Sequence, residues 1–495
     1  MATEAELKLR LARADHAAIA ASPALAAARP RRQRLQGFYF DTPDCAVAEH
    51  GMVLRLRREA NRWVQGLKSA NDASGGLHVR QEWEYRRADP VLDLSRFAAT
   101  PLAELQDAGR LHERLAPAFR VDVTRTTWHL APAPGTRLEV ALDEGVVASG
   151  VRTERISELE IECLEGAPEA AFDLAALLLD AAPLHPSTVT KAERGYRLFR
   201  RARLAPVKAR PIELEESLAP GAAARRVIAA GLAQLQANEE GVLRSTDPEF
   251  VHQARIALRR MRSALRIFRE PVGEERARTW RDALGDVARA LGAARDWDVF
   301  GEETFPPLAA GHGDATVTAA LARRVERERR SSRAAARAAL RSAGYARVVL
   351  DLARWIALPS AGEAGGEPLA GFAARTLKKR HKRLVRDAEG LAHLPPAERH
   401  RVRIDAKRLR YGVDALASLF KAKRVDGYRE ALEALQDALG ETNDAAAATR
   451  LLPRLDPPAE FAAFARGWLA ARERGDAAHL DAVIAKLKAQ RRFWA

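Results

Sequence analysis

Up to about residue 200, apolar and polar side chains alternate along the chain. Ala5, Leu7, Leu9 and Leu11 interleave with Glu4, Glu6, Lys8 and Arg10. Leu54 and Leu56 interleave with Arg55 and Arg57, and Leu159 and Ile161 with Glu158, Glu160 and Glu162. Similar runs lie at Arg62–Lys68, Leu77–Arg86, Phe119–Leu130 and Thr136–Leu142, separated by breaks rich in Gly, Pro and Asp. Successive side chains of a strand point to opposite faces, so this period of two predicts about eight strands in an antiparallel sheet or barrel. From about residue 215 the period becomes 3.6. Long Ala/Leu/Arg segments, interrupted at Pro271, Pro306-Pro307, Pro359, Pro395-Pro396 and Pro457-Pro458, predict eight or more helices. The three prolines within Ala205–Pro220 mark a linker, so domains are expected at 1–204 and 221–495.

A second break, Ser360–Pro368, divides the helical half into two copies of one unit, about 221–358 and 369–495. At a constant offset of 148, His252 meets His400, Arg255 meets Arg403, Ile256 meets Ile404, Arg259 meets Lys407, and Arg262 meets Arg410. Further along, Ala290-Leu291-Gly292 meets Ala438-Leu439-Gly440 and Asp296 meets Asp444. Chance matches are common in Ala/Arg-rich helices. A shared His-x-x-Arg-Ile and a shared Ala-Leu-Gly-x-x-x-Asp at one offset are not.

Charge separates the halves. Residues 1–200 hold 27 Lys/Arg against 28 Asp/Glu, so the helical half holds the other 54 against 38 and all of the net +15 excess. Such asymmetry points to an anionic partner. The two cysteines, Cys45 and Cys163, have no CxxC partner, which argues against a zinc site or a disulfide framework. No run of about 18 apolar residues predicts a membrane-spanning helix, and no leader pattern opens the chain. The cytoplasm is therefore the expected location.

At about 100° per residue, His252, Arg255, Arg259, Arg262 and Arg266 fall in one narrow sector of a helix, beside an apolar sector of Leu258, Met261, Leu265 and Phe268. His400, Arg403, Lys407 and Arg410 repeat the arrangement, and Arg375, Lys379, Lys382 and Arg386 form another stripe. A single such stripe is usually a solvated face. These hold almost no carboxylate and recur after duplication, and like charges so close repel unless an anion offsets them. Guanidinium groups suit phosphate because they present a planar fork of donors. Asp296, Asp298, Asp437 and Asp444 either orient these arginines or cap helices. No aromatic residue interrupts the stripes, so the means of stacking bases is missing and a phosphate chain without bases fits better than nucleic acid.

The segment Val251–Phe268, with Leu291-Gly292-Ala293-Ala294-Arg295-Asp296-Trp297-Asp298 and its second copy, resembles a CHAD domain over about residues 215–490. The resemblance implies two pseudo-symmetric four-helix bundles with a basic channel that takes inorganic polyphosphate. By position His252, Arg255, Arg259, Arg262, His400, Arg403, Lys407 and Arg410 would face the ligand.

In the N-terminal half, acids cluster on some strands and bases on others. Segregated charge on facing walls of a closed barrel would hold divalent metal on one side and phosphate on the other. The opening Glu4-x-Glu6-x-Lys8 is joined by Tyr39-Phe40-Asp41-Thr42, Leu54-Arg55-Leu56-Arg57, Glu158-Leu159-Glu160-Ile161-Glu162 and Lys191-Ala192-Glu193-Arg194-Gly195-Tyr196. Together they resemble a CYTH domain, the triphosphate tunnel metalloenzymes, over residues 1–200. That resemblance implies an eight-stranded tunnel with Mg²⁺ or Mn²⁺ held by Glu4, Glu6, Glu158 and Glu160. Phosphates would be held by Lys8, Arg55, Arg57, Lys68, Arg125 and Lys191, with Lys8 orienting the attacking water beside Glu6. Asp143 is a further metal candidate, or else serves a turn at Asp143-Glu144-Gly145. His78, His112, His129 and His185 lack metal spacing and read as ordinary histidines.

The expected fold is therefore α+β in two domains. An N-terminal eight-stranded antiparallel tunnel with flanking helices precedes an all-α duplicated helical bundle. The expected function is metal-dependent hydrolysis of tripolyphosphate in the tunnel, with polyphosphate bound by the helices. Organic triphosphate hydrolysis, adenylate cyclase-type chemistry and a non-catalytic protein docked on polyphosphate granules are the alternatives.

Overall fold

The structure is a computed structural model and describes residues 2–60, 62–69, 72–109, 111–358, 367–474 and 477–494. Its strands are β1 (Ala2–Arg10), β2 (Arg31–Asp41), β3 (Val53–Glu59), β4 (Arg62–Lys68), β5 (Asp72–Ser74), β6 (Leu77–Arg87), β7 (Ala116–Ala133), β8 (Thr136–Ser149), β9 (Arg152–Glu165) and β10 (His185–Pro186). Helices of nine or more residues are α1 (Glu169–Leu178), α2 (Lys191–Phe199), α3 (Pro220–Arg244), α4 (Pro248–Ile267), α5 (Glu274–Val299) and α6 (Ala315–Leu340). They continue with α7 (Ala343–Ala357), α8 (Leu369–Asp387), α9 (Pro396–Leu416), α10 (Ala422–Leu451), α11 (Ala459–Arg474) and α12 (Ala477–Ala489).

Eight strands run in the order β1-β9-β8-β7-β2-β3-β4-β6, and β6 pairs back onto β1, all antiparallel. That last pairing closes the sheet into the expected barrel and leaves β5 and β10 outside the ring. Closure removes the sheet edges and gives the alternating pattern an inside and an outside. On β1 the charged Glu6 and Lys8 are buried along with Leu7 and Leu9. The leucines pack outward with Ile161, Phe172 and Leu178, and the charged residues point inward.

The predicted turn at Asp143-Glu144-Gly145 does not form. β8 runs unbroken through it, opposite β7 and β9. A side chain at Gly145 would overlap the backbone at Asp122 and Val123, so this glycine permits close strand approach and Asp143 stays in mid-strand.

The chain forms two compact units, Met1–Ala205 with Arg341–Leu358, and Pro206–Leu340 with Pro359–Ala495. The placement of 341–358 differs from the first helical repeat drawn from the sequence. Ala346, Leu350 and Ala353 share one face of α7 and complete the apolar cluster of α1 and the outer faces of β1, β8 and β9. Arg347–Asp180 (2.7 Å) and Arg354–Asp173 (2.5 Å) flank that contact. Periodicity shows that a helix has an apolar face but not which partner covers it.

In the second unit α4 lies against α3, α5 and α9, and α9 lies against α8 and α10. The starts of α4 and α9, Pro248 and Pro396, and of α5 and α10, Glu274 and Ala422, are each 148 positions apart. The duplication read from side chains is thus also present in the elements.

Candidate active site

Register across three neighbouring strands builds the inner wall. Glu158 of β9 stands opposite Asp143 of β8 and Arg10 of β1. Glu160 stands opposite Lys8, and Glu162 lies between Glu6 and Glu139. The period of two then sends Asp143, Glu158 and Glu160 to one spot inside the barrel. All three are buried, each with a carboxylate oxygen within 4.8 Å of the others.

Cations surround this group. Lys191, the first residue of α2, lies 2.7 Å from Asp143, 2.6 Å from Glu158 and 2.8 Å from Glu160. Arg125 binds Asp143 through two nitrogens at 2.8 and 2.7 Å and reaches Glu160 at 2.5 Å. Lys8 pairs with Glu160 and lies 3.4 Å from Glu6 and 3.5 Å from Glu158. Burial alone would raise the carboxyl of Asp143, but Arg125 and Lys191 hold it below its usual range. Glu160 is likewise held down against burial, chiefly by Lys191 and Lys8. Burial disfavours the charged Lys8, yet Glu160, Glu6 and Glu158 raise it above its ordinary range. It is an ammonium and not a base.

Three buried carboxylates offer the hard oxygen donors that Mg²⁺ or Mn²⁺ requires. Both Glu158 oxygens are buried and make no hydrogen bond among the described residues, only ion pairs with Lys191, Lys8 and Arg194. A divalent cation could take the place these ammonium and guanidinium groups hold beside Glu158. Glu4 and Glu6 lie outside this group, on the wall with Arg80 and Lys68. Arg80 lies 2.9 Å from each, and Lys68 lies 2.8 Å from Glu4.

Except for Glu158, which is fully buried, and Arg194, these side chains line one cavity of about 870 Å³, together with Arg55, Arg57, Glu82, Glu84, Glu139 and Glu162. The expected segregation of acids and bases onto facing walls is not what the barrel shows. Arg55 reaches Glu84 at 2.8 Å and Glu82 at 3.2 Å, and Arg57 reaches Glu84 at 3.4 Å. Acids and bases on adjacent or next-but-one strands thus neutralise one another along the inner wall. Glu162, crowded by burial and by Glu4, Glu139 and Glu6, is pushed up to about 7. Arg80, Glu82, Glu84 and Glu139 line the cavity although motif reading left them out, and Glu162 lies in a quoted motif without having been given a role. The alternation of β6, which puts Arg80, Glu82 and Glu84 on one face, was the signal available for three of them.

In the helical unit His252, Arg255, Arg259, Arg262 and Arg266 lie half-buried along α4, bordering its packed face as expected. Arg403, Lys407 and Arg410 lie half-buried on α9, and His400 is exposed at its start. Arg259 stacks over Tyr411 of α9, and its buried Nε has no hydrogen-bond partner among the described residues. Arg266 is lowered to about 10 by burial and by Arg408, Arg262, Arg281 and Arg380. Arg380 is likewise lowered to about 10 by burial and by Arg408.

The α8 stripe is placed differently. Leu377, His381 and Leu384 form the buried face of α8, and Arg375, Lys379, Lys382 and Arg386 lie about 180° from it at 100° per residue. They are exposed, Arg375 pairs with Glu367, and Arg380 is the residue that joins the arginine cluster. Asp296 lies 3.6 Å from Arg255. Asp298 is fully buried and receives Arg329 and Arg333 of α6 instead of a stripe residue. Asp437 is exposed, and the side chain of Asp444 lies outside the described residues.

Comparison with known proteins also divides the chain in two. The family model of the CYTH domain matches residues 2–196, and that of the CHAD domain matches residues 226–453. An inorganic triphosphatase of Haemophilus influenzae is 32% identical over 161 residues, which is 32% of this chain and 44% of that protein. The chain thus spans less than half of that relative. An uncharacterised protein of Mycobacterium tuberculosis is 26% identical over 442 residues, covering 83% of this chain and 80% of its own length. The crystal structure of the CHAD domain from the plant Ricinus communis is 34% identical with a TM-score of 0.52, covering 58% of this chain and 98% of that one.

Proposed function

The chain joins a CYTH domain to a CHAD domain, and from that premise we propose that its barrel hydrolyses an inorganic triphosphate while its helical unit binds polyphosphate. One observation carries the first part: three buried carboxylates converge at one spot, and two of them, Asp143 and Glu160, line a cavity that lysines and arginines also line. Asp143, Glu158 and Glu160 would hold Mg²⁺ or Mn²⁺, with Glu4 and Glu6 available on the neighbouring wall. A divalent ion there would neutralise phosphate oxygens and act as a Lewis acid. Arg55, Arg57, Lys68, Arg80, Arg125 and Lys191 bind the remaining phosphate charge, exchanging carboxylate partners for phosphate oxygens. Lys8, held as an ammonium, donates a hydrogen bond to the attacking water, and the Glu6 carboxylate beside it takes the proton. The water oxygen bonds to the terminal phosphorus, the bridging P–O bond breaks, and pyrophosphate leaves.

The cavity lining favours an inorganic substrate over a nucleotide. Its aromatic residues, Tyr39 and Tyr196, are both engaged elsewhere, Tyr39 stacked on Phe119 and Tyr196 bonded to Asp41. Phosphate release with Mg²⁺ or Mn²⁺ from tripolyphosphate, pyrophosphate and ATP tests the reading. Comparable turnover of ATP and tripolyphosphate would remove the preference for an inorganic substrate.

Polyphosphate binding by the helical unit is supported by the recurrence of the α4 stripe in α9 and by the mutual repulsion around Arg266. Binding should weaken steeply with salt, by analogy with counterion release from DNA. Tighter binding to DNA at equal charge concentration would overturn that ligand.

A further inference from the structure

The capping box of α2 sets where the helix begins but not how deep it sits. Thr190 accepts from the Glu193 amide at 3.1 Å, and Glu193 accepts from the Thr190 amide at 2.6 Å, both within the helix's own first turn. Lys191 follows directly, and its ammonium enters the carboxylate group of the barrel. Its position therefore depends on whatever seats the helix as a body. That contact lies about 6–7.5 Å along the axis, four and five residues beyond Lys191.

There Gly195 rests on the ring of Phe119 with no room for a methyl group. Tyr196 packs edge-on against the same ring at 5.0 Å, and Phe119 stacks on Tyr39 at 4.5 Å. The Tyr196 hydroxyl donates to Asp41 Oδ2 at 2.8 Å. Asp41, at the end of β2, is 1% exposed. It also accepts from the backbone amides of Thr42 (2.7 Å), Val47 (2.9 Å) and Ala48 (3.0 Å). Three fixed backbone donors hold this carboxylate rigid, and it does not line the cavity. It touches no metal candidate, and it is a buried polar anchor of α2 beside the ion pairs Arg194–Glu158 (3.2 Å) and Arg197–Glu154 (2.6 Å).

We propose that Asp41 and Tyr196 are positioning residues that fix α2 in the barrel and thereby set where the Lys191 ammonium meets the substrate. The proposal rests on the triphosphatase reading of the barrel. Because an α-helix moves as a stiff body over one and a half turns, loosening the anchor displaces Lys191 without altering it.

The test is a double-mutant cycle in the full-length chain, with kcat/KM read on tripolyphosphate and Mg²⁺. Tyr196→Phe keeps the ring and removes one hydrogen bond. It should lower kcat/KM about tenfold in the otherwise native chain and less than about twofold when Lys191→Ala is already present. An equal loss in both backgrounds shows a general structural role and overturns the proposal. Asp41→Asn, which keeps shape and removes charge, should follow the same pattern. A loss in it that persists beside Lys191→Ala counts equally against the idea. Hydrogen exchange of the amides of residues 192–199, measured without substrate, is independent of turnover and should quicken in Tyr196→Phe. Should the native chain fail to hydrolyse tripolyphosphate, the triphosphatase reading falls by itself, and exchange decides the anchor. Unchanged protection of α2 then refutes it.

Discussion

The buried charges of the barrel are held in fixed states by their neighbours, and this has measurable consequences one residue at a time. Lys8 is kept an ammonium by Glu160, Glu6 and Glu158 against the effect of burial. The proposed triphosphatase activity should therefore show no alkaline loss attributable to Lys8 below about pH 10, in line with the ordinary lysine range. Lys8→Ala should lower the rate at every pH without moving the profile. Glu158 is one of the three proposed metal ligands and its oxygens are held by ion pairs to Lys191, Lys8 and Arg194, so Glu158→Gln should weaken binding of Mn²⁺ at the proposed site more than tenfold, titrated directly on the full-length protein. His78 is fully buried and donates from its ring to the Ser187 carbonyl at 2.9 Å. Burial and the nearby Lys8 lower it from 6.5 to about 4. Below pH 6.5 the unfolded chain takes up a proton that the folded chain refuses. The contribution of His78 to stability is thus complete above pH 6.5 and declines as pH falls towards 4, by roughly 3 kcal/mol in total. Urea unfolding at pH 7.5 and pH 5 should show this decline, and His78→Gln should flatten it.

At the scale of elements, α2 combines a strong local signal with a demanding tertiary fit. Thr190-x-x-Glu193 is a capping box legible in the chain, and Thr190→Ala should cost about 1 kcal/mol. Gly195 reads locally as a weak helix former, yet the ring of Phe119 occupies the space a side chain would need. Gly195→Ala should therefore destabilise the barrel by about 1–3 kcal/mol, the cost of overpacking, although alanine favours helix. Thermal unfolding of the two variants checks both figures. Gly145 gives the same lesson for β8. Beside Asp143 and Glu144 it resembles a turn, but it is needed where β7 and β8 approach closely. On α8 the basic stripe was legible and its direction was not, because a period of 3.6 defines faces without saying which one is buried.

At the scale of the whole molecule, the most consequential element is α7. It lies 138 positions beyond Ala205, within the span matched by the CHAD family, and completes the outer apolar cluster of the barrel unit. The chain consequently passes from the helical unit into the barrel unit and back. Leu350, 2% exposed, should cost about 2–5 kcal/mol when changed to Ala, and the loss should appear in the unfolding of the barrel, not of the helical unit. Hydrogen exchange resolved by segment in the full-length chain distinguishes the two. Residues 1–205 expressed alone would lack this cover and should expose Phe172, Leu178 and Leu184 to a hydrophobic dye.

Eight strands, the change of period near residue 215, the 148-residue duplication and the excess of charge in the helical half could all be read before any coordinates. Alternation, capping and repetition are local properties of a chain, and a motif such as Glu4-x-Glu6-x-Lys8 lies on one strand. Folding decided which charges meet. Pairing β6 with β1 turned polar faces into a lumen, and the register of β8, β9 and β1 brought Asp143 to Glu158 and Glu160 while leaving Glu4 and Glu6 with Arg80. It also paired acids with bases between neighbouring and next-but-one strands of the barrel and assigned α7 to a unit far from it in sequence. These contacts join residues whose separation along the chain carries no period, so no local pattern records them.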